Sequence, residues 1–588
     1  MIRTLAGSVR EYKTQSILAP ITVSLEVVAE CLIPFFTAQL INAIENGCEM
    51  NTVLLYGFGL LGTALLSLTF GVLAGNFCSV AACGFAKNLR HDIYHKISTY
   101  SFANMDKFST SSLVTRLTTD VSNVQQAYMM LIRTAIRCPF MLIFAFVMSI
   151  NLGGSLAWIF AVIIPILGFF LFSIAGKAMP LFRRVFKKYD KLNESVQENI
   201  SGMRVVKSFV REDYERKKFN RASDDVCNDF TRAEKLLALN APVMQLCSHA
   251  SLLLIAFFCS KIIISEFGVT SMELGTMSGM ITYSMQVLMS MMMVSMIFVM
   301  ITMATEAARR IAEVLEEEPT LKNPQDPIME VADGSVVFDR VSFRYSEEAA
   351  NNALSDISFS IRSGETIGII GGTGSSKTSL INLISRLYDA TEGTVSVGGR
   401  DVRDYDMQVL RNSVAVVLQK NVLFSGTIKE NLRWGDADAT DEEIVRACRI
   451  AEADSFIRTF PEGYDTRISQ GGTNVSGGQK QRLCIARALL KKPKILILDD
   501  STSAVDTRTD AAIRRAIREE LPAMTKIIIA QRISSVQDAD RILVMENGRI
   551  ESLGTHEELI LSSPIYREVY ESQTRAADSD AATAEGGL

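Results

Sequence analysis

The sequence predicts an all-α transmembrane domain of six helices, followed by an α/β domain built around a phosphate-binding loop. Three observations lead to this fold class. The 588-residue chain is 48% hydrophobic and only 21% charged, which is too apolar for an ordinary soluble chain. Its long apolar runs all lie in the first half. The second half alternates short β-branched runs with amphipathic helical patterns, which is typical of an α/β domain.

Six apolar runs are long enough to cross a bilayer, since each exceeds the roughly 20 residues that a spanning helix needs. They are 16–44, 53–83, 127–150, 155–176, 241–264 and 277–303. The short connections 45–51, 151–154 and 265–275 contain no Lys or Arg, whereas the long segments 84–126 and 177–240 contain many. The positive-inside rule therefore predicts a multi-pass protein of the plasma membrane with both termini and the α/β domain in the cytoplasm.

The domain boundaries follow from these patterns. We expect the transmembrane domain to occupy 1–322, including cytoplasmic helical extensions, and the α/β domain to occupy 329–572. Segment 310–327 is acidic and contains proline, so it is predicted to be a linker. The small, polar tail 576–588 is predicted to be disordered. The formal net charge of −5 is small, so no nucleic-acid partner is expected.

The clearest chemical motif follows the strand pattern of residues 366–371. A Gly/Ser-rich loop leads to Lys377 and Thr378 at the start of a helix. In such a cradle, backbone N–H groups and the helix N-terminus face phosphates, the Lys adds a cation, and the Thr hydroxyl can bind Mg²⁺. The predicted loop consists of Gly371, Gly372, Thr373, Gly374, Ser375, Ser376, Lys377, Thr378 and Ser379. Ser376 stands where the strict motif has glycine.

Two further motifs belong to the same domain. Asp499 ends the apolar run 495–498, so it is the expected second Mg²⁺ anchor. Residues 476–479, Ser-Gly-Gly-Gln, open a predicted helix and form a second anion-binding N-terminus.

These ordered motifs resemble the ATP-binding cassette of ABC transporters, and residues 10–572 resemble an ABC exporter half-transporter with the type IV fold. The resemblance implies ATP and Mg²⁺ as cofactors. It implies that Tyr345 stacks on adenine and that Gln419, with Thr378 and Asp499, contacts Mg²⁺. It also implies a signature motif that completes the ATP site of a partner cassette, formed by Ser476, Gly477, Gly478 and Gln479. Ser503 and Asp506 match the D-loop, and segments 102–121 and 200–219 look like the two coupling-helix regions.

The chain departs from the family at two catalytic positions. Asp500 stands where the family normally has the Glu that polarises the attacking water. Gln531 stands in place of the switch histidine, and an amide cannot shuttle a proton. Ser376 and Gln470 are further departures. The joint loss resembles the degenerate-site subunit of heterodimeric bacterial multidrug ABC exporters; the alternative is a tolerated Glu-to-Asp exchange in an ordinary homodimer.

The predicted function is therefore a subunit of an ATP-driven exporter of amphiphilic drugs or lipid-like molecules, paired with a second half-transporter in the lipid bilayer. Its own ATP site is expected to be weak or inactive in hydrolysis. A peptide exporter is one alternative, although only about 15 residues precede the first span and a peptidase domain there would favour it. A non-transporting regulatory or channel-like subunit is another.

Two features of the membrane half bear on cargo. Met285, Met289, Met292 and Met296 continue to Met300 and Met303 at helical spacing, which predicts either a pliable cargo wall or ordinary helix or lipid packing. Glu26 and Glu30 lie one turn apart, as do Arg133 and Arg137. Since acids at membrane depth are costly, they are expected to form an ion-pair ladder, to attract cationic cargo, or to line water.

Overall fold

The structure is a computed structural model that describes residues 1–265, 273–346, 349, 351–501 and 504–585. Only the backbone is described at residues 183, 186, 187, 190, 194, 265, 303 and 575–585. The chain forms two compact units. The first consists of Met1–Thr99 and Phe108–Glu318, and the second of Tyr100–Lys107 and Pro319–Leu588.

The first unit is helical throughout its described residues. Its helices are α1 (Ile2–Ala6), α2 (Lys13–Glu45), α3 (Met50–Ser98), α5 (Thr110–Thr115), α6 (Val121–Ile132), α7 (Thr134–Gly153), α8 (Trp158–Ser201), α9 (Met203–Ser208), α10 (Glu212–Leu237), α11 (Asn240–Ser265) and α12 (Leu274–Glu316), while α4 (Phe102–Lys107) belongs to the second unit. Helix α3 has 49 residues, or about 70 Å at 1.5 Å per residue, so it extends well beyond a hydrocarbon core of about 30 Å.

Five helical stretches of the described residues are long and apolar enough to cross a membrane. They are Ile2–Glu45, Met50–Ser98, Thr110–Phe182, Glu212–Ile264 and Leu274–Glu316. The third is 73 residues long and contains two of the predicted runs, 127–150 and 155–176. These are joined by a 3₁₀ turn, Gly154–Ala157, where Gly154 has a φ of +50°. The six predicted runs thus occupy five stretches because this connection stays helical.

Hydrogen bonds and ion pairs of polar side chains join the helices of this unit. The buried Tyr283 of α12 donates its hydroxyl to the carbonyl of Cys31 in α2, at 2.6 Å. Near the end of α12, Arg310 donates to both carboxylate oxygens of the buried Asp120, at 2.8 and 2.5 Å. Such bidentate pairs fix orientation as well as distance.

The second unit alternates strands and helices. Its strands are β1 (Val336–Phe343), β2 (Leu354–Ile361), β3 (Thr366–Gly371), β4 (Glu392–Val397), β5 (Arg400–Asp401), β6 (Val414–Val417), β7 (Gly426–Thr427), β8 (Arg467–Ile468), β9 (Ile495–Asp499), β10 (Thr525–Ile529), β11 (Arg541–Glu546) and β12 (Arg549–Gly554). Its helices after α4 are α13 (Lys377–Ile384), α14 (Met407–Ser413), α15 (Ile428–Leu432), α16 (Asp441–Ile450), α17 (Asp454–Ile457), α18 (Gly477–Leu490), α19 (Thr507–Glu520), α20 (His556–Ser562) and α21 (Pro564–Glu585).

Within the described residues, the main sheet has six strands in the order β12-β11-β3-β10-β9-β6. All pairs are parallel except β11–β12. An antiparallel sheet, β2-β1-β4-β5, and a small ribbon, β7-β8, complete the unit. The predicted fold class, a helical transmembrane domain followed by an α/β domain, is confirmed.

The central strand β9 shows why its sequence is continuously apolar. Ile495 and Ile497 pack into the core shared with the antiparallel sheet. Leu496 and Leu498 pack on the opposite side, against α18 and its neighbours. A parallel strand covered on both faces needs apolar residues at every position, and this burial holds the following acids at a rigid place.

The predicted boundaries meet the structure in three places. Residues 310–316 of the predicted linker are helical, because α12 continues to Glu316. The predicted coupling regions 102–121 and 200–219 contain the short helices α4 and α9. The predicted disordered tail 576–588 stays a prediction: its backbone is described as helix to Glu585, while its side chains and residues 586–588 lie outside the described part.

Candidate nucleotide site

The strand order gathers the predicted motifs at one edge of the main sheet. Strand β10 lies between β3 and β9, with Ile529 paired to both Ile369 and Asp499. The segments that follow these three strands therefore emerge side by side, where ligands bind in open parallel sheets. They line a cavity of about 560 Å³.

The loop after β3 has the geometry of a phosphate cradle. Gly371 requires glycine, since a Cβ there would lie 2.3 Å from the carbonyl oxygen of Met545. Gly374 has a φ of +84°, in the left-handed region that glycine adopts freely. Ser375 donates its hydroxyl to the carbonyl of Gly372, at 2.9 Å. The loop then enters α13 at Lys377, so that its backbone N–H groups line the cavity.

Ser376 is a strained residue of this loop. It has a φ of +66° and caps α13 with no side-chain hydrogen bond to the helix. A non-glycine residue in the left-handed region costs about 1–2 kcal/mol. The backbone at this position therefore favours the glycine of the strict motif over the serine that the chain has.

Lys377 lies across the loop. Its ammonium donates to the carbonyls of Gly371 and Gly372, at 2.8 and 2.9 Å, and to the hydroxyl of Ser375, at 3.1 Å. Burial lowers the pKa of Lys377, which the neighbouring carboxylates Asp499 and Asp500 oppose. The cation is positioned at the mouth of the cradle, where it can contact a phosphate group.

Thr378 and Asp499 form a pair suited to Mg²⁺. The Thr378 hydroxyl donates to Oδ2 of Asp499, at 3.1 Å, and hydroxyl and carboxylate oxygens are ligands that Mg²⁺ prefers. Burial raises the pKa of Asp499; the Thr378 hydrogen bond opposes this and the adjacent Asp500 reinforces it. The donor set fits a divalent cation, which would relieve the charge held here.

The two altered catalytic positions, Asp500 and Gln531, contact each other. Its Oδ2 accepts hydrogen bonds from Nε2 of Gln531, at 2.9 Å, and from Nε2 of Gln419, at 3.2 Å. Its backbone is left-handed, with a φ of +47°. Burial raises the pKa of Asp500, chiefly opposed by the Gln419 hydrogen bond. The neutral amides of Gln419 and Gln531 thus donate hydrogen bonds to the same carboxylate oxygen of Asp500.

Tyr345 lies beside the cradle, where an adenine ring could stack on it. Its hydroxyl is 2.9 Å from that of Ser379, and 49% of the residue is exposed. The sequence reasoning missed Tyr388, whose ring packs edge-on against Tyr345 at 5.2 Å. Tyr388 donates its hydroxyl to Asp106 of α4, at 2.6 Å. Burial raises the pKa of Tyr388, and Asp106 raises it further.

The signature residues lie outside the cavity, because none of them is among its described lining residues. Ser476 caps the 14-residue α18 and forms a capping box with Gln479: its hydroxyl accepts from the Gln479 N–H at 3.2 Å, and its N–H donates to the Gln479 side chain at 2.9 Å. Asp506 caps α19 by accepting from the N–H of Thr509, at 2.9 Å. Ser503 lies outside the described residues.

The lining residues that the sequence reasoning missed are Ile370 and Ile529, which lie on β3 and β10, and Val569 of α21. The first two directly precede or lie near predicted residues, in contrast to Val569. Nothing local marks it, since it is one apolar position of an amphipathic helix about 70 residues beyond Asp499 in the sequence. Its place at the cavity follows only from how α21 packs on the sheet.

In the first unit, one arginine binds both acids of the predicted pair, Glu26 and Glu30. Arg137 donates to Oε1 of Glu26 and to Oε2 of Glu30, at 2.5 Å each. The Glu26 side chain is 11% exposed and that of Glu30 is 31% exposed. This is the ion-pair interpretation with a single guanidinium, Arg137, serving both acids.

The methionine stripe of α12 is exposed in the single chain. The exposed fractions are 43% for Met285, 58% for Met289, 38% for Met292 and 59% for Met296. Met280 and Met291, on the same helix, are buried instead. The four exposed side chains are therefore only partly covered by the helices of their own chain; one such contact is the Ser248 hydroxyl of α11, which donates to the sulfur of Met285 at 3.5 Å.

Comparison with known proteins gives concordant matches. Residues 16–291 match the family model described as "ABC transporter transmembrane region", and residues 354–503 match the family model described as "ABC transporter". The uncharacterized ABC transporter ATP-binding protein YfiB of Bacillus subtilis is 36% identical over 95% of this chain and 97% of its own length. The uncharacterized protein Rv1273c of Mycobacterium tuberculosis, also described as an ABC transporter ATP-binding protein, is 34% identical over 98% and 99%. Among solved structures, a bacterial Atm1-family ABC exporter with ATP bound has the same fold, with a TM-score of 0.80 at 24% identity over 96% of this chain and 98% of that chain.

Proposed function

The chain belongs to the ABC transporter family, and on that premise we propose that it is one half of a heterodimeric exporter and contributes a degenerate ATP site. It is a multi-pass membrane protein with a cytoplasmic ATP-binding domain that has the exporter fold. In this proposal it binds ATP and Mg²⁺ in its own cavity but hydrolyses slowly there. Its signature motif completes a competent site on the partner half.

The observation that carries the proposal is the hydrogen bond between Gln531 and Asp500. A general base must lie within hydrogen-bond reach of the proton it removes. Asp500 reaches one C–C bond less far than a glutamate would, and one of its oxygens accepts from two amides. Among the described residues that line the cavity there is no histidine. The site can therefore hold phosphates and Mg²⁺, yet it orients water poorly.

The homodimer alternative explains only half of this arrangement. The left-handed backbone at Asp500 is a conformation that Asp adopts more readily than longer side chains do, so local sterics alone could favour Asp over Glu. Gln531 has no such explanation, because its backbone is not left-handed. The two exchanges together favour a division of labour between two different halves.

The test is the ATP turnover of the purified chain without a partner. We expect turnover near background, and an increase of about 10²-fold or more in the Asp500→Glu, Gln531→His double variant, since acid–base groups contribute about 10²–10⁴ in rate. Adding Lys377→Ala to that variant is the matched control and should abolish the gain. Brisk hydrolysis by the unmodified chain alone would contradict the proposal.

The proposed cargo is amphiphilic, either drugs or lipid-like molecules. The exposed methionine stripe supports this, since thioether side chains adapt to varied apolar ligands. Of the paired acids Glu26 and Glu30, Glu30 is the better candidate for a cargo contact, because its side chain is 31% exposed beside Arg137, whereas that of Glu26 is 11% exposed. A peptide exporter and a non-transporting regulatory subunit remain the alternatives.

ATP-dependent uptake into inverted vesicles containing both halves separates these functions. An amphiphilic dye should accumulate, whereas a peptide should not, and an absence of all uptake would indicate a regulatory subunit. Unchanged uptake of several dyes after replacing Met292 and Met296 by Leu would argue against the methionine stripe as the cargo wall.

A further inference from the structure

Helix α21 holds the segment that follows β10. The side chain of Gln573 makes two hydrogen bonds to it: Oε1 accepts from the N–H of Ile533, at 2.9 Å, and Nε2 donates to the carbonyl of Gln531, at 2.8 Å. One amide therefore clamps both ends of the three-residue segment 531–533. This is the segment that carries the altered switch residue.

The helix is itself anchored to the sheet on the same side. Tyr566 is fully buried, and its hydroxyl lies 2.7 Å from Nδ1 of His556. Val569 and Tyr570 pack against the apolar cluster that includes Ile533. Positions 566, 569, 570 and 573 lie on one face of a helix. The Gln573 amide thus projects from a packed face.

The clamp acts on the geometry of the nucleotide site. The side chain of Gln531 reaches Asp500 from a backbone whose carbonyl is fixed by Gln573. One helical turn earlier, Val569 contributes to the wall of the same cavity. The carbonyls of Arg532 and Ile533 also accept hydrogen bonds from the turn that follows, whereas the Gln531 carbonyl accepts from Gln573. Loss of Gln573 would therefore free the backbone at Gln531 and let its side-chain amide sample other positions.

We propose that Gln573 is a positioning residue of the ATP site, which holds Gln531 against Asp500 and thereby sets the preference of the site for ATP over ADP. The inference rests on ATP binding in this cavity, as in the proposed function, but not on the heterodimer.

The chemical reason lies in which phosphate each group can reach. The backbone N–H groups of the cradle after β3 would contact phosphates that ATP and ADP share, and Lys377 would reach the β- and γ-phosphates. Asp500 and Gln531 follow β9 and β10 rather than the cradle strand β3, and they line the same cavity, where a third phosphate beyond the cradle would contact them. A misplaced Gln531 therefore weakens ATP binding selectively.

The experiment measures equilibrium binding of Mg-ATP and of Mg-ADP to the full-length chain, each by competition with a fluorescent nucleotide. In Gln573→Ala we expect the Kd for ATP to rise about 3- to 10-fold, the worth of one or two net hydrogen bonds, with the Kd for ADP unchanged. Gln573→Glu keeps the acceptor for Ile533 but places a carboxylate oxygen against the Gln531 carbonyl, so it should behave like alanine.

Ser572→Ala, on the exposed side of the same helix, is the matched control and should bind both nucleotides as the unmodified chain does. A ratio of ATP to ADP affinity that stays unchanged in Gln573→Ala would overturn the inference, whether both affinities are intact or both fall equally, because an equal fall indicates only a structural role. Fast ATP turnover by the isolated unmodified chain would contradict the proposed function but leave this ratio as predicted.

Discussion

The second unit has two helix N-termini suited to anions, and they are built differently. Helix α13 begins at a strained Ser376 that makes no capping bond. Helix α18 begins at Ser476, in an extended backbone with a complete capping box. Both expose backbone N–H groups and the positive end of a helix dipole. The first lines the chain's own cavity and the second does not.

The strained N-terminus of α13 belongs to the chain's own cavity, and the unstrained N-terminus of α18 would serve the cavity of a partner cassette. Three of the four departures from the family pattern, at Ser376, Asp500 and Gln531, fall in the chain's own cavity, whereas the fourth, Gln470, lies in the turn Gln470–Gly472 before α18. The N-terminus of α18 keeps the family residues and is unstrained. A half-transporter specialised to assist hydrolysis elsewhere would show this asymmetry.

The largest effect is expected at α18. Gly477→Ala should lower ATP turnover of the proposed heterodimer by about 10²-fold, comparable to removing one preorganised donor from a transition state. The chain itself should tolerate the methyl group, since its nearest neighbour, the Cβ of Ala504, would be 3.4 Å away. Lys377→Ala in the same chain should lower turnover far less. If the two variants are equally damaging, both sites hydrolyse and the asymmetry is wrong.

The next effect concerns the buried carboxylate at the Mg²⁺ position. Because the pKa of Asp499 is raised in the folded chain, its ionised form destabilises the apo protein at neutral pH, and this cost disappears as pH falls through the raised pKa. Asp499→Asn should therefore raise the melting midpoint of the apo chain at pH 7.5 but not at low pH.

The same variant should lose the stabilisation given by Mg-ATP, which is about 2.7 kcal/mol at a hundredfold excess over Kd. Thermal melts with and without Mg-ATP, at two pH values, measure both effects. An apo midpoint that falls at neutral pH would show that the Thr378 hydrogen bond outweighs the burial of charge.

The smallest effect is expected at the loop. Ser376→Gly should remove the left-handed strain and stabilise the second unit by about 1 kcal/mol, which is roughly 2–4 °C in melting midpoint for a domain of this size. Ser375→Gly, at a buried neighbour with a hydrogen-bonded hydroxyl, is the control and should destabilise. An unchanged midpoint in Ser376→Gly would mean that the loop bears no strain.

Sequence reasoning could propose the local parts of the site, because each is a short pattern with its own chemistry, and the structure brings the loop and Asp499 together at one cavity. The phosphate loop, Asp499 and the helix start at Ser476 are contiguous motifs whose function depends on neighbours a few residues away. The number of apolar runs followed from the length a bilayer requires. The apolar pattern did not reveal that the third and fourth runs join into one helical stretch at Gly154.

The sequence alone therefore indicated the family and the apolar runs, and it predicts altered chemistry at Asp500 and Gln531. Only the tertiary structure decided which groups meet: that Gln419 and Gln531 share one oxygen of Asp500, that Gln573 clamps the switch segment, and that Arg137 serves both membrane acids. The physical reason is that a motif is fixed by local backbone geometry, whereas these contacts depend on a non-sequential strand order and on helix packing. Those are set by burial over the whole unit.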